Sequence, residues 1–203
     1  MRSLPVALLA LLLLLPVQVA QATPETLQLL GRSSAQDYHL VLDDSDRGWL
    51  RSKGTLLLGA SSPEYPPFGI TNNGSDYEGL TADYAGLIGN TLNRPIRVKR
   101  FANRDKALQA LIDGHIDLLG SANGYDAALP EVALSRPYAE DLPVLVTRED
   151  ETRSLTEGLA GLRLSMVYHY LPLPEVKALY PKALITCYPS YQNAINAVAF
   201  DQA

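Results

Sequence analysis

Short apolar runs alternate with segments of helical periodicity along the middle of this chain. The apolar runs at residues 55–60, 96–100 and 116–119 predict strands. Between them, apolar residues recur at helical spacing and predict helices over residues 81–92 and 104–113. Strands that alternate with helices indicate a mainly parallel sheet that is covered on both faces. In such sheets, ligands bind beyond the carboxyl ends of the strands.

The last third of the chain predicts a second, smaller unit of the same kind. Residues 141–146 lead out of the first unit, and the polar residues 148–157 predict a solvated loop. Apolar runs at residues 162–167 and 183–187 predict two strands, and a helix is predicted over residues 191–200. The inward-facing residues of that helix are expected to be Ala194, Ile195, Val198 and Ala199.

Residues 1–22 have the pattern of a secretion signal. Arg2 supplies a positive charge, an apolar stretch follows, and Ala20-Gln-Ala22 matches the small-x-small pattern of a cleavage site. We therefore expect cleavage after Ala22 and export to the periplasm. The alternative is an uncleaved membrane anchor, which is disfavoured because Pro16 interrupts an apolar stretch that is short for a spanning helix.

Residues 23–53 predict a lead-in segment with one strand and one helix. The strand is expected over residues 38–42, and the helix after the acidic residues 43–46, whose side chains can cap its N-terminus. The helix would carry Trp49 and Leu50. This segment could pack on the first unit or on a neighbouring domain, and the sequence favours neither choice.

Four motifs follow one another between the first predicted strand and the end of the first unit. Tyr65-Pro-Pro-Phe68 is a turn in which two prolines forbid helix and ladder pairing, so that two rings project from a rigid backbone. The other three are the helix start Gly79-Leu-Thr-Ala-Asp83, the strand entry Leu111-Ile-Asp-Gly-His-Ile-Asp117 and the crossover Ser135-Arg-Pro-Tyr138.

In this order, the four motifs resemble those of the periplasmic solute-binding family 3, the Venus flytrap domains. The segments 77–88, 120–123 and 143–146 are similar to the first flytrap domain of BvgS/EvgS-type hybrid sensor histidine kinases. The resemblance covers nearly all of the chain after Gln28. It implies an α/β fold like that of the type II periplasmic binding proteins, with two lobes of mainly parallel sheet flanked by helices.

The resemblance also implies a division into two lobes, the first over residues 54–143 and the second over residues 144–203. A family member would need a further strand after Asp201 and a return crossing into the first lobe. The second lobe is therefore expected to be incomplete. We expect the chain to be a fragment of a longer receptor, and the alternative is a native short protein.

The function that the resemblance implies is that of a periplasmic sensory domain in a two-component sensor kinase. Lobe opening or closure would pass to the membrane through an adjacent flytrap domain and a membrane-anchored kinase. The alternative is a soluble solute-binding protein of an ABC transporter for amino acids or related small molecules. The chain itself is not expected to be an enzyme or to need a cofactor, and homodimer formation is left open.

The residues expected to line a ligand cleft lie on both lobes. In the family, rings of the double-proline turn stack on the ligand, which implies that role for Tyr65 and Phe68. Ser121-Ala-Asn123 follows a predicted buried strand directly, and binding groups concentrate on such loops. On the second lobe, Tyr168 and His169 follow a predicted strand and would narrow the cleft. The alternative roles are packing beneath the turn for Tyr65 or Phe68, loop capping for Asn123 and a surface position for His169.

Two departures from the family weaken the case for an amino-acid ligand. Members that bind amino acids have an arginine about seven residues before the crossover serine, but Ala128 stands at that place here. Bulky Tyr168 and Tyr170 replace a small loop on the second lobe. A small ligand, such as an amino acid or organic anion, is therefore one expectation, and a cleft with no ligand is the other. Arg136, in the crossover, is expected to form a hinge or surface salt bridge.

Composition narrows the remaining choices. A formal net charge of -5 leaves no basic surface for nucleic acid, and 47% hydrophobic residues are ordinary for a globular protein. Cys187 is the only cysteine, so no disulfide can form within the chain. We expect it to be a buried small apolar residue, and a reactive thiol is the alternative. The three histidines lie far apart and do not share metal-ligand spacing with it.

Overall fold

The computed structural model describes residues 23–34, 40–124, 126, 129–140, 142–155, 158–168 and 170–203. The predicted secretion signal, its cleavage site, His169 and Ala128 lie outside the described residues. The strands are β1 (Glu25–Leu29), β2 (Leu56–Ser61), β3 (Ile70–Asn72), β4 (Asp76–Glu78), β5 (Ile96–Phe101), β6 (Leu118–Leu119), β7 (Arg163–Val167) and β8 (Leu184–Tyr188). The helices are α1 (Asp44–Lys53), α2 (Leu80–Leu92), α3 (Arg104–Ile112), α4 (Leu173–Leu179) and α5 (Tyr191–Ala199).

The first six of the described strands form one sheet in the order β3-β4-β1-β5-β2-β6. Strand β2 pairs in parallel with β5 on one side and with β6 on the other, which places it near the centre of the sheet. Both faces of β2 are largely buried, as its nearly unbroken apolar sequence predicts. Strand β1 pairs in parallel with β4 and antiparallel with β5, and β3 is antiparallel to β4, so the sheet is mixed but mainly parallel.

The lead-in segment packs on the first sheet, which decides between the two alternatives left open by the sequence. Strand β1 lies between β4 and β5, and Leu27 is buried in the core. Leu50 of α1 is also buried, and its carbonyl accepts a hydrogen bond of 2.8 Å from the Arg94 guanidinium. Asp83 accepts a bond of 2.6 Å from the Arg32 backbone N–H, which ties the end of the strand to helix α2.

Polar side chains fix the starts of three helices. Asp43 accepts a hydrogen bond from the Asp46 N–H at 2.8 Å before α1, as the acidic run predicts. Asn103 accepts from the Lys106 N–H at 3.0 Å before α3. Ser190 accepts from an N–H in the first turn of α5 at 3.2 Å. These local caps explain why the boundaries of α1, α3 and α5 agree closely with the sequence pattern.

The second sheet consists, among the described residues, of the parallel strands β7 and β8. Helix α5 packs against it through Ala194 and Ala197, and the Ser165 hydroxyl donates a hydrogen bond of 2.9 Å to the Ala194 carbonyl. Two residues predicted to face inward do not, since Ile195 is half exposed and Ala199 is exposed. Cys187 is partly buried in β8 and forms no disulfide.

Several local predictions were wrong or too long. Residues 40–42 are described and are not a strand, and Val41 is almost fully exposed. Of the strand predicted over residues 116–119, only Leu118 and Leu119 pair, because Ile116 points into the core while its backbone still belongs to the turn after α3. Helix α4 and the short strands β3 and β4 were not predicted.

Asp83 and Asp117 have structural roles. The Asp117 carboxylate accepts a bond of 2.9 Å from the Leu57 N–H and pairs with Lys53 at 2.5 Å, which fixes β6 beside β2. None of the described helices combines the length and the apolar character that crossing a bilayer requires.

The burial of β1 gives a direct test of the lead-in segment as part of the core. Leu27→Ala is expected to lower the free energy of unfolding by about 2–5 kcal/mol, because Leu27 is 2% exposed and the lost methyl groups would leave a cavity. Urea unfolding followed by circular dichroism measures the change. The control is Gln28→Ala in the same strand, whose exposed side chain should contribute less than about 0.5 kcal/mol. Equal effects of the two substitutions would contradict a core position for β1.

Candidate ligand cleft between the two sheets

The double-proline turn is seated on the N-terminus of helix α2. The first N–H groups of a helix have no partner within the helix. Here the Leu80 N–H donates to the Pro67 carbonyl at 3.1 Å and the Thr81 N–H donates to the Phe68 carbonyl at 2.9 Å. Gly79 makes this approach possible, since its φ is 107° and a β-carbon there would lie 2.6 Å from both carbonyl oxygens. The turn and the helix therefore form one rigid unit.

Five aromatic rings form a continuous row across the cleft. Tyr65 stacks on Phe68 with ring centroids 5.0 Å apart, and Phe68 meets Tyr138 edge-on at 6.4 Å. Tyr138 also contacts Tyr84 of α2 at 4.8 Å. On its other side, Tyr65 stacks on Tyr191 at 5.4 Å with an interplanar angle of 20°. Because Tyr191 begins α5 beside the second sheet, this last pair joins the two sides of the cleft.

Hydrogen bonds anchor the crossover tyrosine, Tyr138, in its place within this row. The Tyr138 hydroxyl donates to the Gly120 carbonyl at 2.8 Å and lies 2.7 Å from the Thr81 hydroxyl. Burial raises the pKa of Tyr138 above its ordinary value of 10.0. Burial also raises the pKa of the neighbouring Tyr77 to about 12, although a hydrogen bond with Thr81 acts in the opposite direction. Both phenols are therefore neutral at physiological pH.

The loop after β6 is held by an arginine from helix α3. The Arg104 guanidinium donates to the Ser121 carbonyl at 2.9 Å and to the Ser121 hydroxyl at 3.2 Å. It also forms a hydrogen-bonded ion pair with Asp126, which is buried. The same Asp126 oxygen accepts a bond of 2.7 Å from the Asn123 backbone N–H. This network fixes the backbone of the loop at the edge of the cleft.

A second arginine at the cleft is also paired within the chain. Arg100 of β5 forms ion pairs with Glu25 at 2.6 Å and with Glu64 at 3.7 Å. It donates a further hydrogen bond of 3.1 Å to the Thr71 hydroxyl. Glu64 in turn accepts a bond of 2.8 Å from the Thr71 backbone N–H. The arginine thus links β1 and β3 to the segment that precedes the double-proline turn.

The cleft between the two sheets has a volume of about 980 Å³. This size is within the range of small-molecule sites, which is about 300–1,000 Å³. Every described residue that the sequence assigned to the cleft does line it: Tyr65, Phe68, Ser121, Ala122, Asn123 and Tyr168. Their direct contact with a ligand remains a prediction, and His169 lies outside the described residues.

Other lining residues were missed by sequence reasoning. Arg104, Thr81 and Tyr138 line the cleft from the first side, and Tyr191 lines it from the second. Tyr191 follows the helix cap Ser190, a local signal that places its ring at the exposed start of a helix. Arg136, expected in a salt bridge, is exposed and pairs with none of the described carboxylates.

Two α/β units that face each other across a ring-lined cleft define a two-lobed ligand-binding domain of the periplasmic-binding-protein class. Residues 57–198 match the family described as "Bacterial extracellular solute-binding proteins, family 3". The chain belongs to this family. We refer below to the sides carrying the first and second sheets as the first and second lobes.

Similar proteins include sensors. The chain is 42% identical over 184 residues to the virulence sensor protein BvgS of Bordetella bronchiseptica, a match that covers 91% of this chain and 15% of that protein. It is 27% identical over 165 residues to the sensor protein EvgS of Escherichia coli O157:H7, covering 80% of this chain and 14% of that protein. The chain thus spans about one seventh of the length of these relatives.

Solved structures give the same fold. The crystal structure of the B. pertussis BvgS periplasmic domain matches with a TM-score of 0.71 and 40% identity, covering 88% of this chain and 35% of that chain. Holo ArgBP from T. maritima matches with a TM-score of 0.62 and 22% identity, covering 77% of this chain and 69% of that chain. The second likeness supports the fold alone.

The Tyr65–Tyr191 pair is expected to hold the lobes together in the absence of ligand. A stacked pair contributes about 0.5–1.5 kcal/mol, so Tyr191→Ala should lower the closed-to-open ratio about 2- to 13-fold. Spin labels at Lys106→Cys and Lys177→Cys, in a Cys187→Ser background, report the separation of the lobes by pulsed electron resonance. Tyr191→Phe keeps the ring and should keep the short distance. An unchanged distance distribution in the alanine variant would exclude this contact as a latch.

The buried phenol of Tyr77 predicts a loss of stability at alkaline pH. Its pKa is raised to about 12 in the folded chain, so its contribution is complete below pH 10 and is lost as the pH rises from about 10 to 12. A two-unit shift corresponds to about 2–3 kcal/mol. Urea unfolding measured at each pH across this range should show that the free energy of unfolding falls less steeply with pH in Tyr77→Phe than in the native chain. The control Tyr180→Phe should retain the native slope, and parallel curves for all three proteins would contradict the assignment.

Proposed function

We propose that this chain is a periplasmic sensory domain of a two-component sensor kinase. A small ligand in the cleft would bias the two lobes between open and closed arrangements. An adjacent flytrap domain and a membrane-anchored kinase would receive that bias. The predicted secretion signal would direct export to the periplasm and would be cleaved after Ala22.

The observation that carries the proposal is the ring contact between the lobes. Tyr65 and Tyr191 stack directly, so the cleft is bridged by the protein's own side chains. Such a bridge favours a closed arrangement without a bound solute, which suits a sensor that has two arrangements of comparable free energy. Similarity to BvgS over 91% of the chain supports the same choice.

A soluble solute-binding protein of an ABC transporter is the second candidate. The likeness to arginine-bound ArgBP favours it at the level of the fold, with 22% identity. Against it, both described arginines of the cleft are already paired with carboxylates of the chain. An amino-acid carrier would need a guanidinium that is available to the ligand carboxylate.

A domain exchange tests the proposal. The matching segment of BvgS is replaced by residues 23–203 of this chain, and phosphorylation of the chimera is measured in membranes. We expect the chimera to be phosphorylated, and Tyr191→Ala to change the level in a way that Tyr191→Phe does not. The latch should matter because the ring contact sets the balance between the lobe arrangements.

Protease resistance of the exported part provides the folding control for the exchange. A folded chimera whose phosphorylation is the same in the native, alanine and phenylalanine forms would contradict a sensory role. Phosphorylation that changes in Tyr191→Ala but not in Tyr191→Phe would exclude a pure carrier function, because a carrier has no kinase to regulate.

A further inference from the structure

The cleft presents a guanidinium that is already bound to a carboxylate. Arg104 lines the cleft, and its side chain is only 17% exposed. Its Nη2 donates to Asp126, while its Nη1 donates to the carbonyl and hydroxyl of Ser121. These partners therefore engage both terminal nitrogens of the planar fork. A free carboxylate entering the cleft would have to share the guanidinium with a carboxylate that already neutralises its charge.

Asp126 is held as a protein would hold a small anionic ligand. One oxygen of its carboxylate receives both the guanidinium and the Asn123 backbone N–H, the latter at 2.7 Å. Charged hydrogen bonds of this kind are among the stronger ones in proteins. The Asp126 side chain is 8% exposed, so the pair is shielded from water and differs from an exposed salt bridge.

The remaining charges of the cleft do not offset this arrangement. Arg100 is paired with Glu25 and Glu64, as described above. The lining also includes Asp117, which is paired with Lys53, and Glu131, which adds a further negative charge. A carboxylate ligand would therefore meet a surface without an available cation and with excess negative charge.

We propose that Asp126 is a built-in anion that determines the ligand class of the cleft. It occupies the Arg104 guanidinium and so excludes ligands recognised through a carboxylate, including free amino acids. The native cleft selects small uncharged molecules, which can contact its aromatic row and backbone groups. This proposal rests on the proposed function only in taking the cleft as the ligand site.

The test replaces the carboxylate by the isosteric amide. In Asp126→Asn, the side-chain oxygen can still accept from the Asn123 N–H, but the charge that competes for Arg104 is gone. Titration of the purified chain with acetate and with glutamine, at constant ionic strength, is followed by calorimetry and by thermal unfolding. We expect no saturable binding to the native chain and saturable binding of both probes to Asp126→Asn, with a Kd at least tenfold below the highest probe concentration at which the native chain shows none.

Two matched variants separate this effect from a change in overall charge. Asp126→Asn combined with Arg104→Gln should lose the gained binding, because no guanidinium remains to receive the probe. Glu151→Gln removes one member of the Arg153–Glu151 ion pair, outside the residues that line the cleft, and should not create binding. Equal gains in all three variants would show a nonspecific charge effect and would overturn the proposal.

A measurement on the native chain keeps the proposal testable if Asp126→Asn does not fold. Nitrogen-15 resonances of the arginine side chains report whether the Arg104 guanidinium binds acetate or glutamine. The resonances of Arg104 are assigned as those that disappear in Arg104→Lys. We expect these resonances to stay unchanged as acetate or glutamine is added. Saturable shifts at Arg104 in the native chain would overturn the proposal, and so would a folded Asp126→Asn that binds neither probe. Either result leaves the phosphorylation outcome of the chimera unaffected.

Discussion

Two backbone hydrogen bonds determine where the side chains of the cleft can lie. The N–H groups of Leu80 and Thr81 begin helix α2 and would otherwise be unpaired, which is costly in a partly buried position. The carbonyls of Pro67 and Phe68 satisfy them, and this contact seats the double-proline turn on the helix. Since Gly79 has no side chain, the two segments can approach closely. The turn rings, the crossover tyrosine and the row that reaches the second lobe all depend on this junction.

The same junction gives the cleft an unusual electrostatic character. The start of a helix is a ready site for anions, but here the turn carbonyls already occupy the first N–H groups of α2. Arg104 and Arg100 are likewise engaged by Asp126 and by Glu25. The polar groups of the first lobe therefore satisfy one another rather than a ligand. What the cleft offers to a ligand is chiefly aromatic surface and shape, so discrimination there depends more on fit than on charge.

The sequence predicted the parts of the fold that local patterns determine. Helices α2, α3 and α5 and strands β2, β5, β7 and β8 follow from apolar periodicity and side-chain caps, and the turn rings follow from proline chemistry. Strand β1 escaped prediction because Glu25–Leu29 has only two inward apolar residues, and its place in the sheet depends on distant partners. The Arg104–Asp126 pair escaped for the same reason, since helix α3 and strand β6 separate its members along the chain.

A weak contact between the lobes suits a sensor better than a strong one. Stacked rings contribute about 0.5–1.5 kcal/mol, which is only a few times the thermal energy. A latch of this strength leaves a minor open population, and a ligand can shift the balance only by its difference in affinity for the two states. Moving the lobes from about 1:99 to about 99:1 in favour of one state requires a ligand whose binding free energies to the two states differ by about 5.5 kcal/mol. Because the Tyr65–Tyr191 stack between the lobes is a weak contact, removing its contribution requires only a modest difference in ligand affinity between the two states.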